Sequence, residues 1–146
     1  MELIDEGMCF ICGKRNPIGL KAEFEVDSEN LRLKGHFTPK REHEGYKGIM
    51  HGGLASALLD EAMVKLLWEV GIPAVSASLS IRLLKPVRIG ERVLIEGWVE
   101  SDKGRIIKTS AELRNAAGTI LAQADGKCVR IPSKEDSGET GDRQEA

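Results

Sequence analysis

Only one stretch of this chain reads as a helix, and that helix is apolar on almost every side. In residues 52–70, GGLASALLDEAMVKLLWEV, the leucines, alanines, Met63 and Val64 crowd so closely that little polar face is left. A helix patterned this way has to be covered on most sides by other elements. Gly71 and Pro73 follow it as stop signals.

The rest of the chain supplies the cover as strands. Leu20, Ala22, Phe24 and Val26 alternate with polar neighbours over 20–27, the period of a half-buried strand. After the turn Ser28-Glu29-Asn30, a second strand runs through Leu31, Leu33 and Phe37, completing a hairpin. Residues 38–49 (TPKREHEGYKGI) are polar, contain a Pro and two Gly, and read as a loop. Four strand-like runs follow the helix, over 74–85, 91–101, 105–115 and 118–131. Turn-type clusters separate them, and the last three form an antiparallel meander.

Two strands, one helix and four strands predict an α+β fold, with a curled antiparallel sheet wrapped around the helix. With 146 residues the chain can build one core. We assign residues 1–131 to a single domain. Residues 132–146 form a polar tail whose composition predicts disorder.

Charge and targeting signals narrow the partners. A formal net charge of −2 gives no reason to expect nucleic acid. The opening MELIDEGMCF has acids where a secretory signal has bases, and no run is long enough to span a membrane. The chain reads as cytosolic, so Cys9, Cys12 and Cys128 are expected as thiols. Cys9 and Cys12 are spaced as in zinc or redox motifs, but neither four ligands at finger-like spacing nor a βαβ context accompanies them. Packing thiols are the expectation, with no metal.

The helix carries two adjacent carboxylates whose surroundings differ. Glu61, Lys65 and Glu69 fall in a stripe about 80° wide, and Glu61 and Lys65 form an i,i+4 pair, so this stripe is expected to face solvent. Asp60 lies away from it among Leu54, Ala57, Leu58, Val64 and Leu67, with no local partner. It is either an acid at the edge of the sheet or a group held there for chemistry. At the helix start, His51-Gly52-Gly53 reads as a tight entry. Equally, free N–H groups at a helix N-terminus suit an anion or a polarised carbonyl, and glycines let one approach.

GIMHGGLASALLDEAM (48–63), SASLSIRLLKP (76–86) and the opening CFICGKRNPIGLK together resemble the hot-dog fold thioesterases, in their phenylacetyl-CoA (PaaI-like) branch. The resemblance covers roughly residues 9–131. It implies an acyl-CoA thioesterase that releases a carboxylic acid and free CoA, with no metal or organic cofactor. The implied assembly is at least a homodimer, and homotetramers are common in the branch.

Carried over by position, the Gly53 N–H would polarise the thioester carbonyl, Gly52 would permit its approach, and His51 would organise the loop. Asp60 would act as nucleophile or general base, and Ser76 would help place the water or the carboxylate. Where many relatives have an Asn or Gln near the carbonyl, this chain has Gly45, with Tyr46 beside it as a substitute. Leu54 would contribute to the acyl pocket. Arg105 and Lys127 match positions of basic residues near the nucleotide.

Distance adds a constraint of its own. Gly53 and Asp60 are seven residues apart on one helix, about 10 Å along its axis, so one carbonyl cannot touch both. A site using both needs two subunits, with antiparallel helices related by a two-fold axis.

Two other readings compete. Gly35-His36-Phe37 resembles the Gly-His-Phe of hot-dog hydroxyacyl dehydratases, which pair it with a helix-borne Glu, here Glu61. A non-catalytic acyl-CoA binding protein on the same fold is the other.

Overall fold

The computed structural model describes residues 1–132, so the expectation of a disordered tail falls, but for Pro132, outside the described residues. Six strands, β1 (Glu23–Asp27), β2 (Arg32–Phe37), β3 (Ala74–Leu83), β4 (Val93–Lys103), β5 (Ile106–Arg114) and β6 (Ile120–Arg130), surround one helix, α1 (Gly52–Glu69). They form one sheet in the order β1-β2-β4-β5-β6-β3, with every neighbouring pair antiparallel. This is the hot-dog arrangement.

The hairpin β1–β2 pairs Glu23 with His36, and β4-β5-β6 is the expected meander. All six strands contact α1. Leu58, Leu59, Met63, Leu66 and Leu67 are completely buried, which accounts for a helix with hardly any polar face. The helix ends where Gly71 takes a left-handed backbone, φ +82°.

Gly97, buried on β4, lies hard against the helix backbone. A Cβ there would stand 2.7 Å from the Ala62 carbonyl oxygen, helix backbone that cannot swing aside as a side chain can. Gly97→Val is therefore expected to lower unfolding free energy by about 1–3 kcal/mol. A lower urea midpoint at unchanged slope would measure it.

Two local expectations change. The first strand begins at Glu23 and not at Leu20, because the Leu20 and Ala22 N–H groups donate to Phe10 and Ile11 carbonyls in the N-terminal segment. The 38–49 loop contains a 3-10 turn at Arg41–His43. It is tied down by bridges from Glu44 to Met50 and from Ile49 to Arg88. These bridges hold the loop beside the start of α1.

β3 is an outer strand, paired only with β6. Strand faces alternate, yet every side chain from Ser76 to Ser80 is exposed. Leu79 is 42% and Leu83 55% exposed.

Candidate active site

One histidine builds the start of α1. His51 is the N-cap, with φ −56° and ψ 129°, and its Nδ1 accepts the Gly53 N–H at 2.9 Å. Accepting there puts the ring proton of the neutral imidazole on Nε2. The His51 N–H donates to the His43 carbonyl, and the Leu54 N–H to the His51 carbonyl. A helix start leaves four N–H groups without intrahelical partners. Here three of the four are engaged, and the fourth, the Gly52 N–H, has no partner among the described residues.

Gly52 borders a cavity of about 480 Å³ lined also by Tyr46, His51, Ala55, Leu83 and Lys85, whereas Gly53 is absent from its wall. The Gly53 N–H is thus taken up by the cap, and the open N–H of this helix start belongs to Gly52. The reason is the reach of a capping side chain, which bonds the second or third helical N–H and leaves the first. That rule was available in the sequence. Tyr46 stands at the cavity with 87% of its surface exposed. Lys85 and Leu83 had no expected role there; the signal was the Lys85-Pro86 pair that follows β3.

Asp60 lies eight residues along from Gly52, about 12 Å up the axis. The Ser76 hydroxyl donates to Asp60 Oδ1 at 2.6 Å. Ser76 sits where the β3–β6 register shifts, between Ser76 and Ser78, and opposite Cys128. Burial pushes the Cys128 thiol up, Asp60's charge pushes it further, and Thr109 and Ser76 pull the other way. No cation pairs with Asp60 among the described residues. A half-buried carboxylate oriented by a hydroxyl and free of a counter-ion can accept a proton or attack an electrophile.

Glu61 departs from expectation. It does not pair with Lys65 toward solvent. The N-terminal segment covers it, so that Cys12 Sγ donates to Oε1 at 2.9 Å and Cys9 Sγ to Oε2 at 3.5 Å. Lys65 turns to Glu69 at 3.2 Å. The dehydratase pairing is also absent: His36 Nε2 lies 3.4 Å from Glu23 Oε2 across the β1–β2 hairpin.

The remaining positions fall elsewhere. Leu54 packs against the core. Arg105 is in the turn between β4 and β5, and Lys127 faces Lys108 on the outer side of the sheet. Lys127 borders a second hollow, of about 460 Å³, with Ser78 and Leu79; neither basic residue lines the cavity at Gly52.

Comparison with known proteins places this geometry in context. The family described as the thioesterase superfamily matches residues 47–122. Acyl-coenzyme A thioesterase 13 of Homo sapiens is 34% identical over 87 residues, 58% of this chain and 62% of the human protein. The match therefore spans somewhat less than two thirds of that relative. A crystal structure described as a thioesterase superfamily protein superposes with a TM-score of 0.79 at 26% identity, covering 84% of this chain and 60% of the other. The E. coli PaaI protein from the phenylacetic acid degradation operon superposes with a TM-score of 0.68 at 21% identity, covering 71% and 75%.

Proposed function

Since the chain belongs to the thioesterase superfamily, we propose that it is an acyl-CoA thioesterase whose active site is shared between two copies. The observation that carries this reading is Asp60, a carboxylate on an apolar helix, oriented by Ser76 and left without a cation among the described residues. The similarity to acyl-coenzyme A thioesterase 13 supports CoA as the leaving group.

The open edge of β3 supports the sharing. Pairing β3 with β3 of a second copy, antiparallel about an axis between Leu79 and Ser80, sets Ser76 opposite Leu83 of that copy. Asp60 is bonded to Ser76, while Gly52 lies so near Leu83 that a Cβ on it would stand 2.9 Å from Leu83 Cδ1. The same pairing therefore carries Asp60 of one copy toward Gly52 of the other. It would also cover the exposed leucines.

In this reading the thioester carbonyl accepts the Gly52 N–H of one copy. Asp60 of the other takes a proton from water as the water attacks the carbonyl carbon, or attacks that carbon itself. The oxyanion that forms is held by the same N–H. Collapse breaks the carbon–sulfur bond, and the thiolate of CoA leaves; where Asp60 itself attacked, water then hydrolyses the mixed anhydride, freeing the acid and restoring the carboxylate.

Thiol release from a panel of aryl-, short- and long-chain acyl-CoAs tests the activity. Tight acyl-CoA binding without release would instead establish the non-catalytic reading. Sharing has its own test. Asp60→Asn and Gly52→Pro are each expected to be inactive, yet co-refolding them in equal amounts should restore about a quarter of wild-type activity. Half of a random mixture of dimers is mixed, and each mixed dimer holds one intact site of two. A mixture no more active than its parents would place both groups in one subunit.

A further inference from the structure

We propose that Cys9, Cys12 and Glu61 form a binding site for a thiophilic divalent cation, zinc foremost, that clips the N-terminal segment onto α1. The site is separate from the thioester chemistry, and its test does not read turnover.

The donors already converge. One ligand atom from each of the three residues lies within 4.8 Å of the others. Around tetrahedral zinc, with bonds of about 2.3 Å to sulfur and 2.1 Å to oxygen, neighbouring ligand atoms stand roughly 3.6–3.8 Å apart. The Cys9–Glu61 contact of 3.5 Å is near that spacing. The Cys12 contact of 2.9 Å is to the other carboxylate oxygen, so it has to open by about 0.7 Å and the carboxylate to turn for one oxygen to share the ion with both sulfurs.

The two sulfurs come from a stiff turn. The Gly13 N–H donates to the Cys9 carbonyl at 2.8 Å, and Arg15 closes the loop on the Gly7 carbonyl at 3.0 Å. A Cβ on Gly13 would lie 2.5 Å from both Cys9 N and the Gly7 oxygen, so the chain can fold this tightly behind Cys12 only with glycine there. Buried Asn16 bonds the Met8 carbonyl and the Ile18 N–H, bracing the same loop from within. The cysteines are free thiols.

Electrostatics favours a cation at the centre. The half-buried Glu61 carboxylate is met here by two S–H groups, which are weak donors. A divalent ion would displace both thiol protons to solvent and bind all three anionic groups directly. Two thiolates and a carboxylate then exceed the ion by one negative charge. Lys65, within electrostatic reach of both Cys12 and Glu61, offsets it. Three protein donors leave a fourth position for water.

Cobalt(II) added to the reduced full-length protein serves as the optical probe. One equivalent should produce a thiolate-to-cobalt charge-transfer band, and zinc should bleach it. Cys9→Ser and Cys12→Ser should lose the band, Cys128→Ser should keep it, and Glu61→Gln should bind at least tenfold more weakly. In the wild type, zinc should also protect Cys9 and Cys12 from alkylation but leave Cys128 unaffected, a readout that survives if the variants misfold. The proposal is overturned by absence of the band, by its persistence in both cysteine variants, by unchanged affinity in Glu61→Gln, or by equal alkylation with and without zinc.

Discussion

Asp60→Asn is expected to reduce kcat/KM for acyl-CoA hydrolysis by about 10²–10⁴, the range for removing a positioned acid or base. The asparagine matches the carboxylate in shape, and its amide oxygen can still accept from Ser76. It cannot take a proton at neutral pH, nor can it attack a carbonyl. Because the lost interaction belongs to the transition state, the fall should appear in kcat while KM stays near its wild-type value. The melting temperature should move little, since Asp60 has no ion pair to lose among the described residues. A variant that turns over at the wild-type rate would remove Asp60 from the mechanism.

Gly52→Pro deletes a single hydrogen-bond donor with little insult to the fold. Gly52 is the first helical residue, where proline is favoured because its missing N–H has no intrahelical partner. The residue before a proline must be extended, and His51 already is, at ψ 129°. A Cβ at this position would meet the end of the Leu83 side chain, which can rotate away. Loss of one oxyanion donor elsewhere costs about 10²–10³ in kcat, and a similar loss is expected here with an intact circular dichroism spectrum. Gly53→Ala makes the contrast, because its methyl would press on His51 Nδ1 at 2.9 Å and disturb the cap. Wild-type activity in Gly52→Pro would return the donor's role to Gly53.

The comparison of sequence with structure divides by the range of the forces involved. The helix, expected over 52–70 and found at Gly52–Glu69, is written in local composition and ended by Gly71. The strands are written in alternation and in turn residues. Glu61 was misread because its partners, Cys9 and Cys12, lie about fifty positions away, and helical spacing reports only on neighbours along the helix. The position of β3 beyond β6 was illegible for the same reason: the sheet order brings together strands that do not follow one another in sequence. The pairing of Asp60 with Ser76 could be proposed from a family resemblance, but only the folded register supplies the 2.6 Å contact.

β3 also bears on how the protein is lost. Outer strands are commonly guarded by lysine, proline or a covering segment. AVSASLSIRL contains one charge, Arg82, and no proline, and both edge and side chains lie open over much of its length. Uncovered, such a strand is a template for addition of another chain, without any prior unfolding. Under the proposed β3 pairing, agents that separate copies without unfolding them should therefore hasten aggregation at a fixed protein concentration. Storage life would then be governed by association, with heat resistance a poor guide to it.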